Sequence, residues 1–311
     1  MSEIPLPTQL RCAYVAVQHL QYGTPMLELA SELGVSRFTI SRMIDRARHA
    51  GLVEVVTHLP EPVDLEVSAL LQRAFALDDA IVAVPPSADE QTVRAAIGQV
   101  AANLLRAIIA DDDVVGVGPG RTILETAGHL TTLAACDIVQ LTGVASDDPV
   151  GDLRALMKLS EASGGRLFPV HAPLVTTDSD SRRAITAQPA IRSALHRMDY
   201  LDRAVLTVGG WPDSSLLARQ FATMGELDGL LGRGVVAEIG CTLLDGDGHE
   251  IDGYQDRFVG ITSTQLSSVP TTIGLGGGPG KERALLATLR SGLVNTVVTD
   301  ITTARAVLDN M

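Results

Sequence analysis

A chain of 311 residues is long for one domain and suits a small module joined to a larger one of about 250 residues. Hydrophobic residues make up 46% of it but aromatics only 3%, so the core must be built from Ala, Val, Leu and Ile, which favours helices alternating with buried parallel strands over a β-sandwich. The net charge of −13 argues against a nonspecific nucleic-acid coat, and the scattered Cys12, Cys136 and Cys241 and the seven histidines point to reduced thiols and no structural metal; no cofactor is expected.

Residues 6–21 read as an amphipathic helix that breaks at Tyr22-Gly23. The stretch from Thr24 to Ala50, TPMLELASELGVSRFTISRMIDRARHA, reads as a helix-turn-helix. Leu29, Leu33, Ile40 and Met43, with Val35 at the bend, fit two short helices folded across a tight turn. Ala30 suits the helix crossing, Gly34 supplies a turn in which positive φ costs little, and Ser36 caps the second helix. With Ile40, Met43, Ile44 and Ala47 facing inward, Ser36, Arg37, Phe38, Ser41 and Arg42 remain for DNA, on the first turns that enter a major groove. The charge is divided by region. Residues 1–57 hold Arg11, Arg37, Arg42, Arg46 and Arg48 against Glu3, Glu28, Glu32, Asp45 and Glu54, so residues 58–311 carry the whole −13. A locally basic reading helix on an acidic body suits a site-specific DNA binder. Leu52–Thr57 is β-prone and reads as a short wing strand, and HLPEP at 58–62 reads as a linker. The domain boundary is expected there, between a DNA-binding domain at 1–58 and a larger domain at 59–311.

From Asp64 onward, apolar strands alternate with amphipathic helices. Helices are expected at 65–76, 89–110, 122–130 and 152–162, then one ending at Met198, then at 281–291 and 301–308. Strands are expected at 80–84, 113–117, 137–141, 203–208, 235–239, 271–275 and 295–299. Residues 166–189 read as looser and proline-punctuated, and LDGDGHEID as a hairpin. The order implies a mostly parallel sheet covered on both faces. The longest apolar helix is interrupted by Gln99, Asn103 and Arg106, and no basic-then-apolar leader is present, so a soluble cytoplasmic protein without a membrane partner is expected.

Ligands in such sheets bind beyond the carboxyl ends of the strands. Glycine-rich turns follow several of them: Gly118 to Thr122 (GPGRT), Thr142-Gly143, Gly209-Gly210, and Gly276 to Lys281 (GGGPGK), with Asp300 after the last strand. Such turns let backbone N–H groups approach an anion. Only Lys158 and Lys281 among the 24 basic residues are lysines, so Lys281 beside three glycines suggests a point charge for a phosphate or carboxylate, with Arg121 and Thr122 on the same anion. Each glycine turn also suits ordinary strand-to-helix geometry, and Asp300 also suits a helix N-cap. GGGPGKE fails as a Walker A loop, having Glu282 where Ser or Thr would hold magnesium. The loose GxGxxA match at Gly232–Ala237 leads into a strand rather than out of one, and Asp245 and Asp247 open a calcium-like loop spoiled by His249.

Four segments, LGVSRFTISRMIDRARHAGLV, VGVGPGRT, VVAEIGCTLLDGDGHEID and IGLGGGPGKERALLATLRSGLVNTVVTDITTA, give the chain its resemblance to the SorC-family bacterial transcriptional regulators, related in design to DeoR-type sugar regulators. The resemblance covers nearly the whole chain. It implies an α/β protein with an N-terminal winged helix-turn-helix and a Rossmann-like α/β effector domain similar to ribose-5-phosphate isomerase and glucosamine-6-phosphate deaminase. It further implies operator DNA as partner, a sugar, sugar phosphate or polyol effector, and a homo-oligomer, a tetramer or a dimer. By matching segment, the effector pocket would use Gly120, Arg121, Thr122, Thr142, Gly143, Glu238, Gly276, Gly277, Gly278, Lys281 and Asp300, and the turn after a strand adds Gly209 to the same pocket. The sequence departs from the family at Ala237-Glu238, where Gly-Asp is usual, and at Pro119, where a bulky aromatic is frequent. A regulator of a carbohydrate catabolic operon is therefore expected. The alternative is an isomerase- or deaminase-type enzyme using Glu238 or Asp300 as base, and no convincing acid–base pair supports it.

Overall fold

The computed structural model describes residues 5–55, 62–144 and 149–311. The chain divides into two compact units, Met1–Pro60 and Glu61–Met311.

The first unit contains α1 (Leu6–Leu20), α2 (Met26–Leu33) and α3 (Arg37–His49). Gly34 ends α2 in the left-handed region at φ 64°, where its missing Cβ removes the usual penalty. The Ser36 hydroxyl accepts from Thr39 N–H at 3.2 Å and so caps α3. Cys12, Val15 and Ala16 of α1, Leu29 and Ala30 of α2, and Ile40, Ile44 and Ala47 of α3 form one buried cluster. Residues 52–55 form no strand: Leu52 N–H turns back to Ala47 O at 2.9 Å, and Leu52 and Val53 pack on the three-helix core. The rest of the expected wing, Val56 and Thr57, and residues 58–61 of the linker lie outside the described residues.

The second unit runs α4 (Leu65–Ala74), β1 (Asp79–Ala83), α5 (Glu90–Ile108), β2 (Val114–Val117), α6 (Arg121–Gly128), β3 (Asp137–Gln140), α7 (Pro149–Ser163) and β4 (Leu167–Phe168). It continues through α8 (Ser179–Thr186), α9 (Pro189–Arg197), β5 (Arg203–Gly210), α10 (Leu216–Thr223), α11 (Leu227–Gly232), β6 (Ala237–Ile239) and β7 (Thr242–Leu244). It closes with α12 (Ser263–Leu266), β8 (Thr271–Leu275), α13 (Glu282–Ser291), β9 (Thr296–Asp300) and α14 (Ile301–Asp309). The expected parallel sheet is present, in the order β1-β9-β8-β5-β2-β3-β4. One apolar cluster lies around Leu206, Leu285 and Val297, and a second around Ile97, Ile123, Ile138 and Val298, so both faces are covered.

Chain order sets where a ligand can enter. After β2 the chain builds outward through β3 and β4, then returns to β5 on the other side of β2 and builds the opposite way through β8 and β9. The crevice between β2 and β5 is therefore the topological switch point. Beyond it, β5 continues to Gly210, and its last residues pair antiparallel with β6, which pairs with β7. Sequence reading ended β5 at Val208 and did not expect β4, α8, α10 or α12. No described helix is long and apolar enough to cross a membrane.

Candidate functional site

A cavity of about 290 Å³ sits over the switch point, close to the lower end of small-molecule sites at roughly 300 Å³. Its floor is made of strand ends: Leu206 to Gly209 of β5, Leu275 to Gly277 at the end of β8, and Pro119 to Thr122 after β2. Its walls are the first turns of helices, with Glu90 and Arg94 from α5, Gly151 and Asp152 from α7, Lys281 at the start of α13, and Asp213, Ser214 and Arg219 around the start of α10.

Close packing explains why the floor is glycine. Gly120 has φ 132°, and a Cβ there would stand 2.8 Å from Thr207 Oγ1, which already donates to Pro119 O at 2.9 Å. A Cβ on Gly209 would stand 2.6 Å from Glu238 Oε1. The Glu238 carboxylate fills that space because three donors hold it: Trp211 Nε1 and Leu216 N–H at 2.9 and 3.0 Å, and the Ser215 hydroxyl. Burial pushes the Glu238 carboxyl above its ordinary value, partly offset by the Ser215 and Trp211 hydrogen bonds.

Lys281 crosses one wall, and its ammonium donates to Val208 O at 2.8 Å and Ser214 O at 3.3 Å. Burial brings its pKa down to about 8, opposed by the nearby Glu238. At the opposite wall, one oxygen of Glu90 accepts from Arg94 at 2.7 Å and from Arg121 at 2.6 Å. Burial raises the Glu90 carboxyl, but Arg121 and Arg94 outweigh it and hold the group below its ordinary value. Arg121 is the first residue of α6, and Gly120 N–H donates to Asp152 Oδ1 at 3.2 Å. The cavity thus joins a glycine-backed helix start and four cationic side chains, Arg94, Arg121, Arg219 and Lys281, to carboxylates at Glu90, Asp152, Asp213 and Glu238. Cations with a helix start suit an anionic group, and carboxylates suit hydroxyls.

Of the residues expected from sequence, Gly120, Arg121, Thr122, Gly209, Glu238, Gly276, Gly277 and Lys281 line this cavity. Four do not. Thr142 is fully buried and bridges Gly260, while Gly143 donates to Val259 O at 2.7 Å and would carry a Cβ 2.6 Å from Pro173 backbone atoms, so that turn is sealed by chain segments one strand away. Asp300 caps α14, accepting from Thr302 and Thr303 N–H at 2.9 and 3.1 Å, and its other oxygen takes Gly278 N–H at 2.7 Å and Thr303 Oγ1 at 2.6 Å. Gly278 and Asp300 therefore satisfy each other behind the cavity floor. Sequence reading missed Glu90, Arg94, Asp152, Asp213, Ser214 and Arg219. Ser215 before Leu217 and Phe221, an N-cap followed by apolar residues four apart, is the signal that would have revealed α10.

In the first unit, Ser36, Arg37, Phe38 and Arg42 are exposed and Ser41 is half-buried, all on the opening turns of α3. Asp245, Asp247 and His249 bring their ligand atoms within 4.8 Å of one another, but Asp245 Oδ1 already accepts both Asp247 and His249 N–H at 2.9 Å, as the tip of a turn does.

Residues 62–309 match the family model Sugar-bind, described as "Putative sugar-binding domain". The chain belongs to that family. Among its relatives, the transcriptional regulator LsrR of Klebsiella pneumoniae subsp. pneumoniae is 26% identical over 302 residues, covering 95% of this chain and 92% of that protein. LsrR of Escherichia coli K12 is 23% identical, covering 99% and 97%. The crystal structure of the full-length sorbitol operon regulator SorC from Klebsiella pneumoniae matches with a TM-score of 0.71 at 22% identity, over 96% of this chain and 97% of that one. That likeness supports the fold of this Sugar-bind member, its helical N-terminus included, over 96% of its length.

Proposed function

We propose that the protein is a DNA-binding transcriptional regulator of a carbohydrate catabolic operon, controlled by a sugar, sugar phosphate or polyol bound in the second unit. The single observation that carries this reading is the switch-point cavity of a sugar-binding domain whose relatives are transcriptional regulators. Effector bound there would favour one arrangement of the assembly, and linkage would carry that preference to operator affinity at α3. Arg121, Lys281 and the start of α6 would take a phosphate or other anionic group, while Asp152 and Asp213 would accept from ligand hydroxyls. Ser36, Arg37, Phe38, Ser41 and Arg42 would face DNA. The protein would act in the cytoplasm as a homo-oligomer, most simply a tetramer presenting paired reading heads.

A non-enzymatic role is supported at the two carboxylates that the sequence offered as a base. Glu238 is occupied by three donors and Asp300 by four. The test is a thermal-shift screen of sugar phosphates, free sugars and polyols, followed by DNA-binding titrations with and without each hit. A hit that changes operator affinity supports the regulator. A hit that is turned over while DNA binding stays unchanged refutes it.

A further inference from the structure

Helix α3 carries a side chain whose exposure runs against its chemistry. Of the five phenylalanines, Phe221 and Phe258 are buried and Phe75 and Phe168 half-buried, yet Phe38 is 81% exposed. It is the second residue of α3 and lies roughly 160° around the helix from buried Ile40 at 3.6 residues per turn, so it points away from the three-helix core. Arg42 follows one turn later on the same face and Arg37 precedes it, both exposed, while Arg46 and Arg48 are exposed two to three turns further along α3. A phenyl ring left in water gains stability only when something covers it. A ring framed by arginines calls for a polyanion that offers an apolar group at the same place. On a DNA duplex the thymine 5-methyl in the major groove is such a group.

We propose that Phe38 packs against a thymine 5-methyl in the major groove, so that the operator requires a T·A pair at one position of each half-site, next to the bases met by Ser41 and Arg42. This rests on the DNA-binding reading given above and adds a specificity-determining residue to it. Arginine contacts to phosphate supply affinity that is indifferent to sequence, whereas the ring distinguishes thymine from cytosine at one pair.

The experiment selects bound sequences from a random duplex library with the full-length protein, then replaces each thymine of the selected site with deoxyuridine, which lacks only the methyl group. The expected result is one thymine per half-site at which this replacement weakens wild-type binding about fourfold, the scale of one buried methyl, and leaves Phe38→Ala unaffected. Phe38→Leu should keep part of the sensitivity, and unchanged melting of both variants should confirm that the exposed ring holds no fold. Deoxyuridine sensitivity that survives in Phe38→Ala, or uniform weakening of all sequences by that variant, overturns the proposal. Self-association that Phe38→Ala abolishes, without any deoxyuridine effect, also overturns it and gives the ring to a second copy of the chain. Failure to enrich any sequence would instead sink the DNA-binding reading itself, so the two failures are distinct.

Discussion

Replacing Asp300 with alanine separates two roles for one carboxylate, ligand contact and helix cap. In the structure the group is 1% exposed and accepts four hydrogen bonds, from Thr302 N–H, Thr303 N–H, Thr303 Oγ1 and Gly278 N–H. Loss of an N-cap costs about 0.5–2 kcal/mol. Loss of a buried charge-assisted hydrogen bond to Gly278 adds about 1.5–3 kcal/mol, and Thr303 Oγ1, 3.1 Å from the same N–H, softens that loss. A total of about 3 kcal/mol lowers Tm by about 6–12 °C for a unit of this size. Asp300→Asn should fall between, since an amide oxygen can still cap α14 while its NH2 group meets the Gly278 donor. Differential scanning fluorimetry with and without a saturating effector reads both quantities. The expected outcome is a large drop in Tm with the effector-induced rise preserved. A Tm within about 2 °C of wild type together with a vanished effector response would refute the reasoning and return Asp300 to the ligand site.

Three further outcomes follow from the cavity and from α3. Because burial brings the Lys281 amine down to about 8, affinity for an anionic effector should be highest well below that pH and fall by up to about tenfold per unit as pH rises through it and the amine loses its charge. Isothermal titration from pH 7 to 9.5 checks this, and Lys281→Met should flatten the profile; a flat wild-type profile would exclude the amine from the anion. Glu90→Gln should tighten binding of the same effector by up to about fivefold at low salt, because the carboxylate that competes for Arg94 and Arg121 is gone, with the gain limited by the exposure of the pair. Weakened binding in that variant would mean that Glu90 itself contacts the ligand. Arg42→Ala should lower operator affinity at least tenfold in fluorescence anisotropy while the effector Kd stays unchanged, and equal loss of both would mean that α3 is not a separate reading element.

Much of the sheet was legible because strands buried on both faces read as mainly apolar runs, as in VVGV at β2 and AVL within β5, set between amphipathic helices. The helix-turn-helix was legible because Ala30, Gly34 and Ser36 each fill a position with a narrow chemical requirement. The site was half legible. Turns after strands are local features, so Gly120, Arg121, Gly276 and Lys281 could be picked from their own neighbourhoods. Glu90 and Arg121, by contrast, are 31 residues apart and meet only because α5 starts beside α6, a fact of packing that no local pattern records. Packing also decides which turns reach the cavity. Thr142-Gly143 follows a strand just as GPGRT does, but β3 lies one place beyond the switch point, and Ala172, Pro173 and Val259 close over its end. Short elements were missed where their signal was weak: α12 has four residues, and the two residues of β4 pair only with the edge of β3.

The division between a glycine floor and walls of helix starts bears on how such a receptor can change its ligand. A floor residue such as Gly209 or Gly276 meets its neighbours within 3 Å of where any Cβ would be, so it is fixed by packing whatever the effector. Arg94, Asp213 and Arg219 stand near helix starts and belong to none of the apolar clusters that pack the sheet. Exchange of these few wall residues can therefore retune the receptor to a new metabolite without disturbing the strands beneath, and the operator-reading helices need not change with them.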